Sequence, residues 1–133
     1  MASRRRTVAV IVSIAVAVFA TVWGQHRALA GSPAVVVTLT DQLTFRPSKV
    51  TISVGQAVEW RNDSVLVHTV TADPEVAAKA SDVALPDGAK TFDSGNLKPK
   101  ARFRHLFMVP GTYRYFCTPH EAADMVGEVI VTP

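Results

Sequence analysis

The chain has 133 residues, 48% of them apolar, with one cysteine and a formal charge of +3. That length makes one ordinary domain and excludes an elaborate multidomain enzyme, and a lone cysteine excludes a framework of internal disulfides. The charge is unevenly placed: Arg4, Arg5, Arg6 and Arg27 lie in the first 30 positions, which hold no acidic residue, so 10 basic residues face 11 acidic ones in the remainder. A nucleic-acid-binding reading has no electrostatic footing there.

Residues 1–30 read as a signal peptide. Three arginines precede an uncharged run, Val8 to Trp23, broken only by Ser13 and Thr21, and Ala28-Leu29-Ala30 offers the small-x-small pattern for cleavage before Gly31. The alternative is an uncleaved anchor, since the run approaches the shortest length that spans a bilayer. Ser3-Arg4-Arg5-Arg6 hints at twin-arginine export, but Thr7, Val8 and Ala9 depart from what usually follows. Residues 31–133 are then the working domain, exported to the periplasm or another extracytoplasmic space, and membrane-tethered if the segment stays.

From Val35 the apolar pattern takes a period of two, closed at intervals by turn residues. Val35 to Thr40 is strand-like, Val50, Ile52 and Val54 alternate with Thr51 and Ser53, and Gly55-Gln56 turns the chain into Ala57 to Arg61. Val65 to Thr71, Phe103 to Phe107, Tyr113 to Cys117 and Val126 to Thr132 follow, with Pro110-Gly111 marking a turn. Between Asp73 and Lys100 the rhythm breaks, and the alanine-rich piece Glu75 to Ala84 predicts a short helix. About seven or eight short strands in ~100 residues predict an all-β antiparallel sandwich. It is large enough to stand without disulfides. Phe45, Trp60, Phe103, Phe107, Tyr113 and Tyr115 are its expected core aromatics.

The chemistry concentrates around the cysteine. Cys117, His120 and Met125 share one short loop between two expected strands, and His68 stands upstream as a further candidate. Two histidines and a cysteine with a weak axial methionine are the ligand set of blue-copper electron-transfer sites. Thiolate and thioether suit Cu(I), whereas imidazole serves both oxidation states, so the mixed set lets one site serve both with little rearrangement. Zinc is the rival metal, although a thioether is a poor zinc ligand.

Pro110-Gly111-Thr112-Tyr113-Arg114-Tyr115-Phe116-Cys117-Thr118-Pro119-His120, continued by Met125-Val126-Gly127-Glu128-Val129-Ile130-Val131, resembles the C-terminal third of plastocyanins and pseudoazurins. Val50-Thr51-Ile52-Ser53-Val54-Gly55, Val58-Glu59-Trp60-Arg61-Asn62 and His68-Thr69-Val70 are similar to the bacterial members. The resemblance implies a cupredoxin Greek-key sandwich over residues 31–133 with one type 1 copper. His68, Cys117 and His120 would be its strong ligands and Met125 the axial one. It also implies service as a monomeric electron carrier between a redox-protein donor and acceptor, without a small-molecule substrate. Ala122-Ala123-Asp124 replaces the frequent Gly-Ala-Gly, Thr69 stands where Asn is common after the first histidine, and Phe116 where plant plastocyanins carry a docking tyrosine. The first two changes bear on the reduction potential, and the third gives no ground for assuming a photosynthetic partner.

Other features carry less. His105, in Phe103-Arg104-His105-Leu106-Phe107, reads as a core or edge histidine with no ligand-type neighbour at two residues' distance. Glu121 and Asp124 are expected on a charged rim of the loop, while Val65, Leu66, Pro119, Ala122 and Ala123 are expected to form an apolar patch around His120. Asn62-Asp63-Ser64 matches a glycosylation sequon. An enzyme is not expected: there is no His-x-His pair for further copper centres, no phosphate loop, and Cys117 and His120 are too close in sequence for a catalytic pair. A copper store or delivery protein is the alternative function.

Overall fold

Alternation along the strands decides which side chains face inward, and the computed structural model, which describes residues 34–133, has nine strands built on it. They are β1 (Val35–Leu39), β2 (Phe45–Arg46), β3 (Lys49–Ser53), β4 (Ala57–Asn62), β5 (Thr71–Ala72), β6 (Phe92–Asp93), β7 (Arg102–Leu106), β8 (Gly111–Phe116) and β9 (Val126–Thr132). In β3 the pattern is clean: Val50 and Ile52 are buried while Lys49, Thr51 and Ser53 are exposed. One sheet has the order β2-β1-β4-β7 and the other β3-β9-β8-β5-β6. The expected signal peptide over residues 1–30 and its cleavage before Gly31 lie outside the described residues.

The all-β sandwich is as expected, but its sheets are mixed rather than antiparallel. β1 runs parallel to β4 in the register Val35↔Val58 to Leu39↔Asn62, and β3 runs parallel to β9. A period of two specifies the buried face but is silent on the direction of the neighbour. Here the chain passes to the other sheet at β3 and returns at β4, so β4 arrives beside β1 pointing the same way.

Two expected elements are corrected. Val65 to Thr71 is not a strand: only Thr71–Ala72 pairs, and His68 makes an isolated bridge with Leu97. The Asn62 side chain takes the Leu66 carbonyl and the Ser64 N–H, bending the chain and leaving Val65 79% exposed. Glu75 to Ala84 is not a helix but holds a three-residue 3-10 turn at Ala80–Asp82. The N–H groups of Ala78 and Lys79 donate to the Glu121 carboxylate, removing them from any helical ladder.

Trp60 centres the core. Its ring lies 5.3 Å from Tyr115, 5.7 Å from Phe103 and 6.3 Å from Phe107, with Phe92, absent from the expected set, at 6.2 Å. Phe103 is half-buried at the edge, and the other five expected aromatics are buried. Burial of each such side chain is worth about 2–3 kcal/mol. Gly127 is required by close approach: a Cβ there would stand 2.4 Å from the Tyr115 ring.

Candidate metal centre

The first ligand candidate is placed by a turn whose hub is Asn62. Its Nδ2 donates to the carbonyls of Leu66 (2.7 Å) and Leu97 (2.9 Å), and its Oδ1 accepts from the Ser64 N–H (3.0 Å) and hydroxyl (2.8 Å). Three of the four bonds are buried and the one to Leu66 is part-buried, with Asn62 itself fully buried. The sequon it begins therefore has no free amide in the folded chain. With its proton directed to Asn62, the Ser64 oxygen accepts from His68 Nε2 at 2.9 Å. That assigns the proton of His68 to Nε2 and leaves the lone pair of Nδ1 facing Cys117.

Cys117 follows β8, and three backbone bonds close the loop behind it. His120 N–H donates to the Cys117 carbonyl, Met125 N–H to the His120 carbonyl, and Cys117 N–H to the Met125 carbonyl, at 3.0, 3.3 and 3.0 Å. Cys117 Sγ lies 3.5 Å from His68 Nδ1 and 3.3 Å from His120 Nδ1, and the donor atoms of the three residues all fall within 4.8 Å of one another. Met125, on the same loop, is fully buried. Thr69 joins the two ligand-bearing segments: its N–H donates to Cys117 Sγ at 3.3 Å, and its hydroxyl oxygen accepts from Thr118 N–H at 2.8 Å. The hydroxyl thus supplies the acceptor that an asparagine side chain would offer at this position.

Burial pushes the Cys117 thiol up, opposed by the N–H groups of Thr69 and His120. Burial, with the neighbouring His120 ring, holds His68 below the usual histidine range, so its imidazole is neutral and its nitrogen is free to coordinate. A thiol of raised pKa gives up its proton when a metal binds, so uptake is coupled to proton release.

The residues fit a metal ion on two counts. Donors about 2.0–2.3 Å from one ion, at an angle near 100°, are separated by about 3.3–3.5 Å, matching the two sulfur–nitrogen edges of 3.3 and 3.5 Å. The soft thiolate with two imidazoles, and a buried thioether on the same loop, is a set suited to copper. His105 is not in this group. It stacks on Phe92 at 4.3 Å and meets Phe107 edge-to-face at 4.8 Å, and desolvation lowers its pKa.

Between His120 and Met125 the expected charged rim is half right. Glu121 is buried, not exposed: its two carboxylate oxygens accept from Ala78 and Lys79 N–H, both at 3.0 Å. Asp124 is exposed and takes the left-handed conformation (φ 57°), which a short polar side chain tolerates better than most. Its carboxylate is paired with Lys79 Nζ at 2.7 Å. Lys79 thus holds Glu121 with its backbone and Asp124 with its ammonium. Asn62, Ser64, Glu121 and Lys79 were not foreseen as supports. Asn62-Asp63-Ser64 is a turn signal, but nothing local marks Glu121 as a buried acceptor. Val65, Leu66, Pro119, Ala122 and Ala123 are exposed as expected, Val67, outside the expected set, is 40% exposed, and His120 is half-buried while His68 is fully buried.

The sequence model of the family described as "Copper binding proteins, plastocyanin/azurin family" matches residues 33–132. A plastocyanin of Synechococcus sp. is 37% identical over 98 residues, covering 68% of this chain and 65% of its own length. A chloroplastic plastocyanin of Tetradesmus obliquus is 36% identical over 93 residues, covering 67% and 59%. Less than two thirds of each relative's length is therefore spanned. Among solved structures, a reduced amicyanin variant superposes with a TM-score of 0.58 at 26% identity, covering 78% of this chain and 87% of the other.

Proposed function

The chain belongs to the plastocyanin/azurin family of copper-binding proteins, and from that premise we propose that it is an exported blue-copper electron carrier. Its one type 1 site would be held by His68, Cys117 and His120, with Met125 as the weak axial donor. The observation that carries this reading is the convergence of a buried thiol and two imidazole nitrogens within 4.8 Å. A copper ion bound there supplies the one-electron Cu(II)/Cu(I) couple.

The chain's own residues do the rest. Ser64 fixes the His68 tautomer, Thr69 N–H stabilises the thiolate, and the buried surroundings exclude water. A framework held this firmly resists rearrangement between oxidation states. His120, half-buried on the loop that also exposes Pro119, Ala122 and Ala123, would mark, with exposed Val65, Leu66 and Val67 just before His68, the face where a redox protein meets the site. A small apolar contact lets such a complex separate quickly. The carrier is read as a monomer serving one protein donor and one acceptor, and residues 1–30 as the export signal.

The test combines metal analysis with voltammetry. A carrier takes up one copper per chain and gives a reversible one-electron wave. Zinc alone in copper-replete cells, or copper that passes to a chelator without a reversible wave, would favour the store or delivery reading. N-terminal sequencing of exported protein should begin at Gly31, and retention of Val8 to Trp23 would make it a tethered carrier.

A further inference from the structure

The outward side chains of the β2-β1-β4-β7 sheet form a basic stripe. Register places Arg46, Thr38, Arg61 and Arg102 in one row across its four strands, and Val36, Glu59 and Arg104 in the next. Three gaps between strands make the row about 14 Å long. Arg46, Arg102 and Arg104 are exposed, and Arg61 is half-buried. Glu59 is the one acid in these rows, and its carboxyl is held below the usual range, first by the hydrogen bond from Arg61 and also by the charges of Arg61, Arg102 and Arg104. Arg46 and Arg104 take part in no ion pair among the described residues.

The stripe is continued by Lys98 and Lys100, both exposed, on the turn leading into β7. That turn is tied to the metal end, because Lys100 N–H donates to the Asn62 carbonyl and Asn62 holds Leu66. Six of the 10 basic residues beyond position 30 are thus on this face or its turn. The segment between β5 and β6, on the edge of the other sheet, carries the opposite balance: Asp73, Glu75, Asp82 and Asp87 against Lys79 and Lys90. Asp41 and Asp63 border the metal end, and the Asp41 carboxylate is engaged by Val65 N–H. The charged loop residues offer no rival acidic patch, since Glu121 is buried and Asp124 is paired.

We propose that this arginine-rich face, whose Lys98–Lys100 turn is tied through the buried Asn62 to Leu66 of the apolar patch, docks a redox protein that presents an acidic surface. The proposal rests on the carrier reading and adds the partner's chemistry. Opposite charge would steer the encounter, while the apolar patch makes the contact over the site. A localised acidic protein surface fits better than an extended polyanion, because the acidic flank repels a partner that wraps around the domain and the near-neutral net charge gives it no long-range attraction.

The test uses a plant-type ferredoxin as an acidic probe, titrated into the isotopically labelled reduced copper protein and followed by NMR. Perturbations should fall on Arg61, Arg102, Arg104 and Leu66, and binding should weaken strongly as salt is raised. Arg102→Glu/Arg104→Glu should weaken binding at least ~10-fold, while Lys49→Glu/Arg114→Glu, on the other sheet, should change it less than ~2-fold. Thermal melts establish that both variants remain folded. Wild-type affinity in the arginine variant, perturbations confined to the other sheet, or tighter binding to phosphatidylglycerol vesicles or duplex DNA than to ferredoxin would overturn the proposal. Failure of the carrier reading would appear separately, as absent copper uptake, and the metal-free protein supports the same titration.

Discussion

His68 and His120 lie with ring centroids 4.8 Å apart, yet they are held in opposite ways. His68 is fully buried and fixed from behind by Ser64, which is fixed in turn by Asn62, so the β4 sheet determines its position. His120 is half-buried on a loop held by its own backbone and by Lys79 from a neighbouring segment. A ligand set in the core contributes rigidity, whereas one on a surface loop contributes access. The proposed electron carrier would need both, and the two histidines would divide the tasks.

The largest effect should come from breaking the rigid side. Asn62→Ala removes four hydrogen bonds, three of them buried, and leaves the Leu66 and Leu97 carbonyls without that donor. The expected loss is about 3 kcal/mol, read by chemical denaturation, with weaker copper retention. An unchanged midpoint would mean that the hub does not hold His68. Gly127→Ala, beneath Tyr115, should cost about 2 kcal/mol by overpacking, because the ring stands 2.4 Å from the added methyl. Wild-type stability in that variant would show that the core yields more easily than its packing implies.

On the loop side the effects should be spectroscopic rather than thermodynamic. Glu121→Gln leaves one of the Ala78 and Lys79 N–H groups without its carboxylate oxygen, so these amides should exchange faster and the absorption spectrum of the copper form should shift, with the fold intact. If exchange accelerates while the spectrum stays fixed, the clamp serves the neighbouring segment and not the site. Met125→Leu should keep a coloured site and raise the reduction potential, because it deletes a weak donor that favours Cu(II). An unchanged or lower potential would argue that Met125 is not axial.

The smallest effect concerns His105, far from this contrast. Desolvation lowers its folded-state pKa, so below about pH 6.5 the unfolded chain takes up a proton that the folded chain does not. Its share of stability is therefore complete above that pH and declines as pH falls toward the lowered folded value. In the metal-free protein, His105→Phe should reduce the stability lost between pH 7 and pH 5, measured by thermal melts at several pH values. An identical pH slope in both proteins would contradict the desolvation.

Much of this was legible in the residues. Period-two alternation marked β1, β3, β4, β7, β8 and β9, and the spacing of Cys117, His120 and Met125 marked the loop before any geometry was known. What escaped was non-local. Parallel pairing of β1 with β4 leaves no trace in either strand's alternation. The alanine-rich piece failed as a helix because a carboxylate more than forty residues away captured its N–H groups. Val65 to Thr71 looks like a strand by composition, but the Asn62 side chain offered its backbone a different partner. Glu121 misled for the same reason, since a charged residue on a loop belongs outside until two distant amides make burial favourable.

The central claim is that the thiol of Cys117 and the imidazoles of His68 and His120 act as one copper site, and Cys117→Ser tests it most directly. Absorption spectra of the wild type and the variant, each loaded with Cu(II), should show an intense visible thiolate-to-copper band only in the wild type, with the β-fold preserved in both by circular dichroism. An intense band surviving in a folded Cys117→Ser protein would contradict the account.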